Sequence, residues 1–178
     1  MGRTSRYLIV AVVTLLAAAA GTSPAGSARK QLPDPVRIVI PSIGVKAPIV
    51  PLGLNRDETM QVPRNRRDAG WFRPGPEPGE VGPAVIVGHL ATVSGPGVFA
   101  RLSKLRRGGL ITVRLRGGST VTFVATSMIR VAKSSFPTRR VYARTAQPTL
   151  RLITCAGKFN SATGHHSDNY IVFASLVK

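Results

Sequence analysis

Two residues of this 178-residue chain are of types that could perform covalent chemistry together. Cys155, the only cysteine, stands in "LRLITCAGKFN", and His89 closes "AVIVGH", 66 positions upstream. A thiolate is the strongest common side-chain nucleophile near neutral pH. An imidazole exchanges protons in the same range. Together they would suit acyl transfer, with sulfur attacking a carbonyl and the ring protonating the departing group. The bland alternatives are a buried thiol acting as a small hydrophobe and a hydrogen-bonded rim histidine. Context favours use of the thiol. Cys155 reads as the end of a strand, Ala156 and Gly157 add little bulk after it, and an exposed odd thiol in an oxidising space is a liability unless it serves a purpose. A zinc site is the other reading of one cysteine and three histidines. It is disfavoured because His165 and His166 are adjacent and would point to opposite faces of an extended backbone. No metal and no cofactor is expected. No carboxylate pair points to sugar hydrolysis, and no glycine-rich loop would cradle a phosphate.

The elements that must position this pair are short. "VRIVI" (36–40) is the first strand candidate, and "PSIGVKAPIV" continues in extended pieces broken by prolines. The stretch from Gly53 to Gly82 reads as loop, with its lone tryptophan in "GWF" (70–72) as a packing anchor. "AVIVG" (84–88) is a short buried-type strand ending at His89. In "VFARLSKL", Val98, Phe99, Leu102 and Leu105 have helical spacing, which predicts a short amphipathic helix stopped by "RRGG". "LITVRLR", the turn "GGS" and "TVTFVAT" form a hairpin signal. "MIRVAK" reads as a further strand, "FPTRRVY" as a loop or one-turn helix, and "TLRLIT" and "NYIVFASLV" as the last two strands. About eight short strands with one or two short helices make an all-β barrel or sandwich. In a barrel, two strand ends far apart in sequence can meet at one rim.

The N-terminus has a different character. Arg3 and Arg6 precede an apolar run from Tyr7 to Ala20, and small residues follow. This is the pattern of a secretory signal, or of an uncut signal anchor, over residues 1–21. Residues 22–35 are rich in Ser, Ala, Gly and Pro and read as a flexible tether. Either way the body is expected outside the cytoplasm, at the outer face of the membrane or in the cell wall, secreted or anchored. The net charge is +18, and six of the seven acids lie at or before Glu80. A nucleic-acid partner is not expected, because the arginines are scattered and no stacking motif accompanies them. Attraction to an anionic envelope and a simply solvated basic surface both remain open.

Five segments in order resemble the sortase family, in particular its actinobacterial class E/F members. "LRLITCAGKF" is similar to the cysteine-bearing strand of sortases, and "VIVGHLATVSGPGVFARLSKL" to the histidine-bearing segment. "VRIVIPSIGVKAPIVPLGL", "VPRNRRDAGWF" and "FPTRRVY" fit the same group. The resemblance spans about Val36 to Leu176, so a catalytic domain over residues 36–178 is expected. It implies an eight-stranded sortase-type β-barrel and a monomeric cysteine transpeptidase. Such an enzyme cleaves a C-terminal sorting signal of the Leu-Pro-any-Thr-Gly kind between Thr and Gly, and passes the acyl group to a cell-wall amine. Its partners would be signal-bearing secreted proteins and the amine of a peptidoglycan precursor, with membrane contact through the N-terminal segment if that is uncut. By the same resemblance Cys155 is the nucleophile, His89 the general acid/base, and Thr154 the threonine before the nucleophile. Phe136 and Pro137, in "SSFPTRRVY", are expected in the groove wall, although an ordinary connecting loop would read the same way. Two departures stand out. Many relatives carry an arginine just before the Asp-Asn pair of "TGHHSDNYIVFA", and this chain has Ser167. The missing donor would come from His165 or His166, or from Arg130, Arg139, Arg140 or Arg144. Otherwise the fold is a slow enzyme or a non-catalytic module binding wall or peptide. Arg151 shares the face of Cys155 but stands about 13 Å along the strand. Secondly, "GHLAT" lacks the acidic residue that relatives often place two positions after the histidine.

Overall fold

The computed structural model describes residues 32–177. The expected signal or anchor, and most of the expected tether, lie outside them. From Leu32 the chain is already attached to the body. The Leu32 amide donates to the Glu80 carboxylate, and Asp34 pairs with Arg116 at 3.2 Å. Strand β1 (Pro35–Ile40) follows directly.

β1, β2 (Val45–Leu52), β3 (Ala69–Phe72), β4 (Gly82–Gly88), β7 (Leu110–Leu115), β8 (Thr120–Ala132), β9 (Pro148–Asn160) and β10 (His165–Leu176) close into an eight-stranded barrel. Their order around it is β1-β2-β3-β4-β9-β10-β8-β7. A two-stranded hairpin, β5 (Ala91–Thr92) with β6 (Gly95–Pro96), hangs from the end of β4. One short helix, α1 (Thr138–Tyr142), precedes β9. Closure leaves no long unpaired strand edge, which suits a chain with few charged edge residues.

Alternation along each strand fills the interior. Ile38, Ile40, Trp71, Ile86, Ile111, Val113, Phe123, Leu150, Leu152 and Val172 meet in one buried cluster. A second, smaller cluster lies outside the barrel wall, with Val85, Val141, Ile153, Ile171 and Phe173 under α1. Neighbours in sequence therefore serve opposite faces: Leu152 the interior and Ile153 the exterior.

The structure corrects four sequence expectations. Within the stretch read as loop, Ala69–Phe72 is a barrel strand, parallel to β2 and antiparallel to β4. Four residues are too few to show a period. Trp71 is buried there as a packing anchor, its indole donating to the Pro76 carbonyl at 3.2 Å. The expected amphipathic helix is only a 3₁₀ turn at Leu102–Lys104. Phe99, Leu102 and Leu105 are all buried, and their spacing of three matches the tighter period of that turn. "TVTFVAT" and "MIRVAK" are one strand, β8. Opposite Phe173 and Ala174 the register slips by one at Thr126, whose hydroxyl donates to the Phe173 carbonyl at 3.0 Å. The bulge switches the inward face from Phe123 and Ala125 to Met128, which breaks the alternation. Finally, β9 does not end at Cys155 but runs on to Asn160.

Candidate active site

β4 and β9 pair in parallel from Gly82–Pro148 to Val87–Ile153. Carrying that register onward sets Gly88 beside Thr154 and His89 beside Cys155. The Thr154 hydroxyl secures the first of these positions by donating to the Gly88 carbonyl at 2.8 Å. Past this point β4 leaves the sheet, while β9 continues against β10. Cys155 thus stands where the wall loses one neighbour. It is half-buried, on the outer face with Ile153.

A cleft of about 260 Å³ opens there and is lined by both His89 and Cys155. One wall is Met60, Gln61, Val62 and Pro63. The opposite wall comes from Lys133, Phe136 and Tyr142, on the segment carrying α1. Val87, Ile153 and Thr154 form the base, and Asn169 stands across from Cys155 on β10. The walls are largely apolar, and no carboxylate lines the cleft. Burial pushes the Tyr142 phenol above its ordinary pKa of 10.0, so it remains a neutral wall.

The His89 ring is fixed from behind. Its Nε2 lies 2.8 Å from the Pro63 carbonyl, which can only accept, so Nε2 carries hydrogen and the neutral ring keeps Nδ1 for proton exchange. The backbone is held equally firmly. Phe99 donates its amide to the His89 carbonyl at 3.0 Å, and Gly97 donates to Leu90 at 2.9 Å. A Cβ on Gly97 would overlap the His89 carbonyl, so only glycine permits this approach.

Residues 38–177 match the sortase domain family model. The chain belongs to the sortase family. Among solved structures it is similar to sortase C-1 of Actinomyces oris, at 25% identity, covering 82% of this chain and 76% of that one with a TM-score of 0.64. It is also similar to a sortase D5 transpeptidase of Clostridium perfringens, at 24% identity, 82% and 79% coverage and a TM-score of 0.60. A lid mutant of sortase A from Corynebacterium diphtheriae gives 22% identity, 84% and 73% coverage and a TM-score of 0.62. Comparison with curated proteins gives no match. Sortases are cysteine transpeptidases, and this sortase has one cysteine with which to be one.

Of the residues singled out in the sequence, the fold gathers Cys155, His89, Thr154 and Phe136 around one cleft. Pro137 caps α1 and is not among the lining residues. Ser167 also lies outside the lining. It sits at a β-bulge in which Gly157 and Lys158 oppose it, and its Oγ accepts from the Lys158 amide at 3.1 Å. Gly157 has φ +83°, and a Cβ there would overlap the Ser167 Oγ.

None of the proposed substitutes for the family arginine lines the cleft. Arg130 pairs with Tyr170, which packs toward the interior, and is bound to Asp168 at 2.6 Å. His166 is tied to the Gly157 carbonyl at 3.2 Å and meets the Phe159 ring edge-on. Arg140 and Arg151 lie over the Phe173 ring, 4.4 and 4.8 Å from its centre. Phe173 is four strand positions beyond Asn169, about 13 Å away. Burial first, and Arg140 second, push the Arg151 guanidinium below its ordinary pKa.

Sequence reading missed the polar cleft residues Gln61, Asn169 and Lys133. Asn169 was within reach of inference, since strand parity places it with Ile171 on the outer face. Lys133 depended on where β8 ends, which the bulge at Thr126 concealed.

Proposed function

We propose that this sortase is a class E/F-type enzyme that cleaves a Leu-Pro-any-Thr-Gly sorting signal between Thr and Gly and transfers the acyl group to a cell-wall amine. The observation that carries the reading is that Cys155 and His89 line one open, apolar-walled cleft. The Cys155 thiol proton passes to Nδ1 of His89, the thiolate attacks the Thr carbonyl carbon, and the carbonyl electron pair moves onto oxygen. As the tetrahedral intermediate collapses, the C–N bond breaks and His89 gives a proton to the departing glycine amine. This leaves a thioester on Cys155. An incoming amine attacks the thioester carbonyl, gives a proton to His89 and releases the thiolate. Phe136, with its neighbours on the α1 side, offers apolar surface for the signal's leucine and proline. Thr154 acts through the backbone, holding β4 against β9. Signal-bearing exported proteins would be the acyl donors and a peptidoglycan precursor the acceptor, with the body outside the cytoplasm as its N-terminal segment suggests.

The test is incubation with a Leu-Pro-Ala-Thr-Gly peptide followed by intact-mass measurement. The expected result is an acyl adduct on Cys155 and release of the glycine fragment, faster with added amine. Release unaffected by any amine would make the protein a hydrolase. Reversible binding with no adduct would reduce it to a peptide-binding module.

A further inference from the structure

The tetrahedral intermediate needs donors for its developing oxyanion, and Ser167, where the sequence resemblance implies an arginine, lies outside the cleft. We propose that Asn169 and Lys133 take over this function, Asn169 as the direct oxyanion donor and Lys133 as the cation beside it. The inference rests on Cys155 as the acylated residue, but not on the identity of the natural signal.

Three observations place the pair. Asn169 is the cross-strand partner of Cys155 in the antiparallel β9–β10 ladder. Directly opposed residues put their Cβ atoms about 4.5–5.5 Å apart on one face. An amide there is within reach of an oxygen on the carbon that sulfur attacks. Lys133 enters from the other side. The β8–β10 ladder ends at Ala132–Asp168, so the next positions are Lys133 and Ser167. Lys133 thus stands one strand away from Ser167, at the facing position. Finally, both side chains line the cleft and both are uncommitted. Neither has a hydrogen bond or ion pair to another described residue, and Lys133 is the only lysine or arginine in the lining. Arg130, by contrast, is spent on Asp168.

The electron count is that of ordinary acyl transfer. Sulfur forms a bond to the carbonyl carbon, the π pair resides on oxygen while Asn169 donates an N–H to it, and collapse expels the leaving group with its pair. Removing one such donor typically slows acylation by about 10²–10³-fold in an enclosed site. In this open cleft about tenfold or more is expected for Asn169→Ala. Lys133→Met, acting through the field, is expected to cost a few-fold, since solvent screens an exposed charge.

Two reagents separate oxyanion stabilisation from access to the thiol. Acylation by p-nitrophenyl acetate, followed as nitrophenolate release, passes through an oxyanion. Alkylation by iodoacetamide uses the same sulfur and forms none. Asn169→Ala and Lys133→Met should slow the first reaction and change the second by less than about twofold. Lys133→Arg should retain acylation, and Ser167→Arg should restore it to Lys133→Met. Acylation unchanged in both variants, or both reactions falling in proportion, would overturn the proposal. Failure of the wild-type protein to cleave a sorting peptide while the ester still acylates Cys155 would refute the substrate reading and leave this one standing.

Discussion

The two faces of the β9–β10 pair do different work with the same backbone. Inward, Leu150, Leu152, Val172 and Ala174 join a continuous core closed by every other strand of the barrel. Outward, Ile153, Ile171 and Phe173 pack with Val141 of α1, Phe136, Met60 and Phe72, and beyond them the cover stops at Cys155 and Asn169. The inward face gains stability from being sealed. The outward face gains a cleft because its seal is incomplete. The cysteine is therefore located where packing ends, one residue from where it is complete.

Four experiments press on this contrast. The largest effect is expected from Cys155→Ala, which should abolish adduct formation and turnover while moving Tm by no more than about 2 °C, as for other substitutions outside a core. Equal loss of stability would mean that the thiol is a packing residue. Next, Leu152→Ala should cost about 2–5 kcal/mol in denaturant unfolding, with kcat/KM per folded molecule preserved. Ile153→Ala, one position on, should fall at the lower end of that range and raise KM, because its side chain lines the cleft. Identical behaviour of the two would erase the distinction between faces.

A smaller effect is expected at the hairpin that β9 and β10 extend past the barrel. Gly157→Ala forces an L side chain into φ +83° against Ser167 and should cost about 1–3 kcal/mol. The loss should show as reduced amide protection in the extension and leave barrel strands unchanged. The smallest concerns Asp168. The Ser167 hydroxyl, then Arg130, hold its carboxyl below the ordinary 3.8. A carboxyl lowered in the folded state stabilises fully above its unfolded value, and the contribution fades as pH falls below about 3.8. Amide protection of the extension, relative to the barrel, should drop in that range. Asp168→Asn should remove the pH dependence.

Much of the site was legible because its signals are local. Cys155 and His89 each stand at the end of a short apolar run, and both line the cleft at the rim. What was not legible required knowing which strands touch. Ala69–Phe72 is too short to declare a period, and its place as a strand comes from β2 and β4 on either side. The bulge at Thr126 made one strand look like two, and so hid that Lys133 leaves β8 facing Ser167. The helix expected around Leu102 was a 3₁₀ turn because residues three and four apart are hard to tell apart over eight positions.

By itself, then, the sequence determined the class of fold and singled out Cys155 and His89 as the candidate pair, since alternation and residue chemistry are properties of a few neighbouring residues. Only the tertiary structure decided that one cleft holds both, that no arginine lines it, and that Asn169 and Lys133 line it beside Cys155. Those facts depend on strand register and closure, which are set by packing among residues far apart along the chain.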